Sequence, residues 1–146
     1  MAVALRDASR VDIPAMQRIR GAVRENRLVS IVFDEESYAE AIERSGRGWV
    51  VVADGETVAF AVANVRTGNI WALFVDPAHE GCGHGRLLHD AMVAWLWSRG
   101  LDRIWLTTAP ATRAEQFYRR AGWRSAGRSD DGEIPPQVVR RLATVK

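Results

Sequence analysis

The sequence predicts an α/β (α+β) fold: a mixed, mostly antiparallel sheet with a central parallel β–α–β pair and flanking helices. Three observations predict it. Two helical patterns open the chain, and two apolar runs around Asp54-Gly55 then read as a β-hairpin. A strand, a glycine-rich loop, an amphipathic helix and another strand follow over residues 69–109. Parallel strands joined in this way need a right-handed crossover, and the intervening helix supplies it.

The elements follow in order. VDIPAMQRIRGAV (11–23) sets Ile13, Met16, Ile19, Arg20 and Val23 at helical spacing, with Asp12 as candidate N-cap and Pro14 in the first turn. Residues 24–36 lose that period and read as a loop or a short second helix. SYAEAIERSG (37–46) resumes it through Tyr38, Ala41 and Ile42, with Gly46 as the stop. WVVVA (49–53) and TVAFAVANV (57–65) flank Asp54-Gly55, a pair suited to the positive φ angles of a two-residue hairpin. Thr67-Gly68-Asn69 marks a turn, and NIWALFVD (69–76) is a third strand closed by Pro77. RLLHDAMVAWLWSRG (86–100) carries Leu88, Ala91, Met92, Trp95 and Leu96 on one helical face and stops at Gly100. DRIWLTTA (102–109) is a strand. Thr112 and Glu115 form a capping-box pattern that opens a helix ending at Gly122, and Trp123 starts a last strand.

With 146 residues the chain fits one domain, 1–146, large enough to bury a core. Its 47% hydrophobic and 26% charged residues describe an ordinary globule rather than a disordered chain. A net charge of +2, without a dense basic run among aromatics, argues against nucleic acid as the partner. The single cysteine, Cys82, excludes an intrachain disulfide and a Cys-rich zinc site, and fits a reducing, cytoplasmic setting. MAVALRDASRVD (1–12) has no apolar core of a secretory leader, and no apolar run approaches the ~20 residues that span a bilayer, so no membrane is expected. His79, His84 and His89 lack convincing ligand spacing, so no metal is expected. Edge strands and basic faces make a homodimer reasonable.

The chemistry concentrates in DPAHEGCGHGRLLHDAMVAW (76–95), where Gly81, Gly83 and Gly85 alternate just ahead of a helix. Three glycines there cost backbone entropy, which suggests that something approaches the backbone closely. A strand feeding such a loop presents free amides and the positive end of the helix dipole, an arrangement suited to phosphate or pyrophosphate. Arg86 adds a charge-assisted donor. The spacing G-x-G-x-G is neither the dinucleotide fingerprint nor a P-loop.

LFVDPAHEGCGHGRLL (73–88) resembles the acyl-CoA signature of the GNAT N-acetyltransferase superfamily, an apolar strand ending Val-x-Pro and then Gln/Arg-x-x-Gly-x-Gly/Ala at a helix start. AEQFYRRAGW (114–123) resembles the family's second signature, A-x-x-F-Y-x-x-x-G-F, and the order of elements matches over nearly the whole chain. The resemblance implies a GNAT-like fold and acetyl-CoA as co-substrate, with no metal. It implies that the pyrophosphate lies on the amides of Gly81, Cys82, Gly83, His84, Gly85 and Arg86. The pantetheine arm would run along Leu73, Phe74 and Val75. Strands 69–76 and 102–109 would splay apart, so that an amide, that of Leu73, polarises the thioester carbonyl. Tyr118 matches the general acid that protonates the departing thiolate, and Arg113 is placed to reach a phosphate of the cofactor.

The chain departs from the family pattern at four places: Glu80 stands where Gln or Arg is usual, Ala111 where Asn is frequent, strand 69–76 lacks a glutamate base, and Pro135-Pro136 interrupts the expected C-terminal strand. That strand is therefore expected to be short, at an edge, or rearranged. For the acceptor, residues 24–33 occupy the region where relatives build a pocket. Glu25 is the candidate base or ammonium ligand, with Asn26, Trp71 and Trp105 as lining residues. The expected reaction moves acetyl to a primary amine of a small molecule by direct attack in a ternary complex. A covalent route through Cys82 is the lesser expectation. The alternatives are a catalytically weak acyl-CoA-binding or sensing module and an acetyltransferase of protein N-termini or lysines.

Overall fold

The computed structural model of the protein describes residues 2–23, 34–101, 103–108, 112–127 and 137–142. The chain starts with strand β1 (Val3–Asp7), which the sequence reading did not anticipate. Four of its five residues are exposed or face an edge, so it carries no apolar alternation, and its pairing with the next strand defines it. One 3-10 turn (Arg10–Asp12) leads into α1 (Ile13–Ala22), with Pro14 in the first turn. Asp12 stands at the N-cap, but its carboxylate reaches back. It accepts the Ser9 amide at 2.8 Å and both Arg6 guanidinium ends at 2.9 Å, which ties α1 to β1. Those bonds, Arg6 foremost, hold the Asp12 carboxyl below the usual carboxylate range.

Helix α2 (Glu35–Glu43) begins where Asp34 Oδ1 accepts the Ser37 amide at 2.9 Å. Gly46 does not stop this helix; it opens β2 (Gly46–Ala53). A Cβ there would stand 1.6 Å from the Ala63 carbonyl oxygen, so only glycine permits the approach to β3 (Glu56–Asn64). The hairpin between them turns on Asp54 and Gly55 at φ +50° and +82°, the positive pair the sequence calls for. Then come β4 (Ile70–Val75), α3 (His84–Ser98), β5 (Arg103–Thr108), α4 (Arg113–Arg120), β6 (Arg124–Gly127) and β7 (Gln137–Leu142). Thr112 Oγ1 accepts the Glu115 amide at 3.2 Å and starts α4 as expected.

The strands form two sheets, β1-β2-β3-β4 and β5-β7-β6, antiparallel within each. The expectation for the C-terminal strand is corrected in one respect. β7 begins after the two prolines and runs between β5 and β6, so it sits at the centre of its sheet rather than at an edge. Alternation splits the core. Val50, Phe60, Val62 and Ala72 face α1 and α2, with Ile13, Met16, Ile19 and Tyr38. Val51, Ala59, Ala61 and Ala63 face α3, with Leu88, Met92 and Leu96. No helix among the described residues is long and apolar enough to cross a membrane.

Candidate active site

The two sheets meet at one point. Asn69 and Trp105 form a single parallel bridge, with the Trp105 amide donating to the Gly68 carbonyl at 3.0 Å. The Trp105 indole donates to the Thr67 carbonyl, also at 3.0 Å, and pins β5 to the turn ahead of β4. Gly68, at φ +77°, allows this approach, because a Cβ there would lie 2.5 Å from the Arg103 carbonyl oxygen. Beyond the bridge no backbone bond joins β4 to β5 among the described residues, so the strands part as the family resemblance implies. The register between β3 and β4 slips by one residue, leaving Trp71 as the extra residue of a bulge at the mouth of the gap.

Hydrogen-bond parity decides what faces the gap. The Asp76 amide donates to Val58 O at 2.8 Å, so the amides of Phe74 and Ala72 also point to β3. Those of Leu73 and Val75 point the other way, along the free edge. Their side chains pack under α3, whereas Phe74 faces α1.

The glycine loop follows within a few residues. Pro77–His79 form a 3-10 turn capped by Asp76, whose side chain accepts the Ala78 amide. Gly81 and Gly83 take φ +75° and +84°, and Gly83 is the N-cap of α3. A Cβ at either would meet nothing within 4 Å, so it is the left-handed backbone that requires glycine here. Gly85 differs: it lies in the first helical turn, where a Cβ would touch Val75 and Phe117 at 3.5 Å. The first donor taken up inside α3 is the Leu87 amide, bonded to Gly83 O at 3.1 Å. Ahead of it, the amides of residues 81–86 donate to nothing among the described residues, and they gather at the positive end of the helix.

Glu80, the residue out of pattern, has a cationic partner. Arg113 Nη1 donates to Glu80 Oε2 at 2.5 Å, linking the start of α4 to the loop and balancing the carboxylate. Arg86 also has a partner, Asp90 Oδ1 at 3.1 Å one turn along α3, so its guanidinium is engaged along the helix. Cys82 is exposed and its thiol lies 3.7 Å from Glu80 O.

Tyr118 is buried in the cluster that Leu73, Val75 and Phe117 pack against. Its ring centroid lies 5.2 Å from Phe117, 5.4 Å from Trp123 and 6.2 Å from His89. Burial pushes its phenol far above the ordinary value, so it stays protonated. His89 fixes one side of this cluster. Its Nε2 accepts the Trp123 indole N–H at 2.9 Å, so the proton is on Nδ1, which donates to Asp90 at 2.8 Å.

Trp71 lies on the opposite face of the sheet, edge-on to Tyr38 at 5.2 Å. Arg20 covers it, with the guanidinium carbon 5.3 Å from the Trp71 ring and 5.0 Å from Phe74. Burial raises the Tyr38 phenol above its ordinary value, and the neighbouring Arg20 charge partly offsets that. A cleft of about 280 Å³ opens on the far side of Trp71, walled by Ser37, Glu40, Ser45 and Asn64. Trp71 and Trp105 have separate partners, the first under Arg20 and the second at the bridge. Glu25 and Asn26 lie outside the described residues. Arg20, over the Trp71 ring, and Glu40, in the cleft wall, were not among the expected lining residues. The signal for Arg20 was there to read: it is the one charged side chain on the apolar stripe of α1. Glu40 carried no such signal, because its exposure to the cleft depends on how α2 docks.

Comparison with known proteins places this geometry in context. The family model described as "Acetyltransferase (GNAT) family" matches residues 15–123. The chain is 36% identical over 81 residues to a mycothiol acetyltransferase of Beutenbergia cavernae, covering 51% of this chain and 27% of that protein. It is 34% identical over 103 residues to a streptothricin acetyltransferase of Streptomyces lavendulae, covering 64% and 53%. The chain thus spans about half or less of the length of these curated relatives. Among solved structures, the ribosomal-protein-S18-alanine N-acetyltransferase of Escherichia coli superposes with TM-score 0.80 at 18% identity, over 99% of this chain and 96% of that one. A PaiA N-acetyltransferase of Thermoplasma acidophilum in complex with coenzyme A gives 0.79 at 15%, over 98% and 100%. At these identities the likeness is one of fold.

Proposed function

This chain belongs to the GNAT acetyltransferase family, and we propose that it moves an acetyl group from acetyl-CoA to a primary amine of a small molecule, by direct attack in a ternary complex. The reading treats 1–146 as one catalytic domain working in the cytoplasm. The observation that carries it is the parted edge of β4. There the Leu73 amide, the free amides at the start of α3 and the Tyr118 cluster adjoin one gap.

In this reading the amides of residues 81–86 bind the pyrophosphate, and acetyl-CoA supplies the activated acetyl group. The pantetheine arm lies along residues 73–75, and the Leu73 amide donates to the thioester oxygen as negative charge develops there. The neutral amine forms a C–N bond at the carbonyl carbon, and the C–S bond breaks. The sulfur leaves with a proton from Tyr118, while the amine nitrogen gives up its own proton to a base, Glu25 or water. The cofactor enters from the α3 side, so the acceptor approaches from the α1 and α2 face, where Trp71, Arg20 and the cleft beside Glu40 lie. Two named relatives act on small molecules, mycothiol and streptothricin, which agrees with such an acceptor.

The first test is a thermal melt with acetyl-CoA. A ligand at a hundred times its dissociation constant stabilises the native state by about 2.7 kcal/mol. That is roughly 5–10 °C for a chain of this size. No shift at millimolar acetyl-CoA would refute the proposal. A shift without thiol release from any amine would instead favour an acyl-CoA-binding module.

Glu80→Gln is a second test. Removing the carboxylate beside the loop amides frees Arg113 to meet a phosphate. Acetyl-CoA is then expected to bind about fivefold more tightly, the equivalent of roughly 1 kcal/mol for one screened charge. Weaker binding would mean that the Glu80–Arg113 pair is needed to hold the loop in shape.

A further inference from the structure

The core-facing side of β5 ends on a polar group. Ile104 and Leu106 are buried in the cluster under α3, and alternation puts Thr108 on the same face. Thr108 is buried too, with 6% of its surface exposed. Its Oγ1 has no hydrogen-bond partner among the described residues. A hydroxyl withdrawn from water and left unpaired costs free energy that valine, of nearly the same shape, does not. Packing alone therefore favours valine at this position. The hydroxyl is accounted for by a partner that arrives from outside the chain.

The position points to that partner. On one side β5 pairs with β7, with Thr108 opposite Gln137. On the other it faces the free edge of β4, from which it parts after the bridge between Asn69 and Trp105. Counted from that bridge, Asn69 to Ala72 and Trp105 to Thr108 are equal steps, so Thr108 comes level with Ala72, next to Leu73. Leu73 and Val75 pack against the cluster that holds Ile104, Leu106 and Tyr118, so Thr108 is on the cofactor's face of the gap. The arm of acetyl-CoA is an apolar chain broken by two amides, and each needs partners once it leaves water. The outward amides of β4 donate from one wall. The Thr108 hydroxyl, able to accept an N–H, complements them from the other.

We propose that Thr108 binds the pantetheine arm, its hydroxyl accepting the N–H of the arm amide nearest the thioester. The inference rests on the acetyltransferase reading of the same site. Held there, the arm keeps the thioester carbonyl level with the Leu73 amide, and Thr108 takes no part in the proton transfers. The hydroxyl is a cost to the ligand-free chain and is satisfied when the cofactor is bound. Stability and binding therefore respond to its removal with opposite signs.

The test uses that opposition. Without ligand, Thr108→Val is expected to melt about 2–5 °C above the wild type, because a buried unpaired hydroxyl is gone. Titration calorimetry should show its affinity for CoA falling about five- to tenfold, the loss of one hydrogen bond that leaves a desolvated amide unpaired. Its affinity for 3′-phospho-ADP, the nucleotide end of CoA without the arm, should stay within about twofold, since the glycine loop is untouched. Thr108→Ser keeps the hydroxyl and should retain most of the CoA affinity. Unchanged CoA binding by Thr108→Val overturns the assignment while leaving the acetyltransferase reading intact. Equal losses for CoA and 3′-phospho-ADP overturn it likewise, because the effect is then not on the arm. A Thr108→Val protein that melts below the wild type, or does not fold, also overturns it, since the hydroxyl then serves the fold. Wild-type protein with no affinity for CoA overturns both.

Discussion

Gly83→Val is expected to weaken acetyl-CoA binding by at least about a hundredfold, a loss comparable to two charge-assisted hydrogen bonds. The cause is conformational. Gly83 sits at φ +84°, ψ +5° as the N-cap of α3, a region that costs an L-residue about 1–2 kcal/mol and a β-branched one more. A Cβ there meets nothing within 4 Å, so the cost lies in the backbone angle rather than in a Cβ clash. Valine instead pulls the cap out of the left-handed region and turns the amides that follow it away from one another. Gly83→Asn should bind far better, because asparagine tolerates that region. Gly100 supplies the control: it has φ +85° and open space around it, but lies past the other end of α3. Gly100→Val should lose similar stability and keep its acetyl-CoA affinity. Titration calorimetry on the three variants separates these effects. If Gly83→Val and Gly100→Val bind alike, the loop geometry has no part in holding the cofactor.

Tyr118→Phe is expected to lower kcat by about a hundredfold, the lower range for a lost general acid, with less than a threefold change in KM for acetyl-CoA. The aromatic contacts to Phe117, Trp123 and His89 survive the substitution, so the fold should too. The pH dependence adds a second handle. Burial raises the phenol above its ordinary value of about 10, so it remains a proton donor throughout the working range. The sign for stability follows. The group contributes fully below the unfolded value of about 10, and that contribution is lost as pH rises above it, while the unfolded phenol ionises first. Tyr38, raised mainly by burial, adds to the same alkaline loss. Tyr118→Phe should therefore melt with a shallower decline above pH 10. Stopped-flow or steady-state thiol release gives kcat, and an unchanged value would remove Tyr118 as the acid.

The two parts of the site differ in how far they can be read from the chain. Asp54-Gly55, Thr112 with Glu115, and the glycines at 81 and 83 act through backbone dihedrals and hydrogen bonds closed within a few residues. Sequence spacing alone therefore located the hairpin, the start of α4 and the loop at the head of α3. Gly46 shows the limit of that logic. It has the spacing of a helix stop, yet the Ala63 carbonyl 1.6 Å from its missing Cβ makes it a strand residue.

By itself, then, the sequence determined the local elements, the crossover and the residues gathered around one loop. The tertiary structure decided the rest. β1 and β7 exist because partner strands pair with their backbones, and no alternation within them announces it. Glu80 is neutralised by Arg113, 33 positions away, and Arg20 meets Trp71 and Phe74 only when α1 lays it over them. Such contacts join residues distant in the chain, and their energies depend on burial and facing surfaces that no single segment carries.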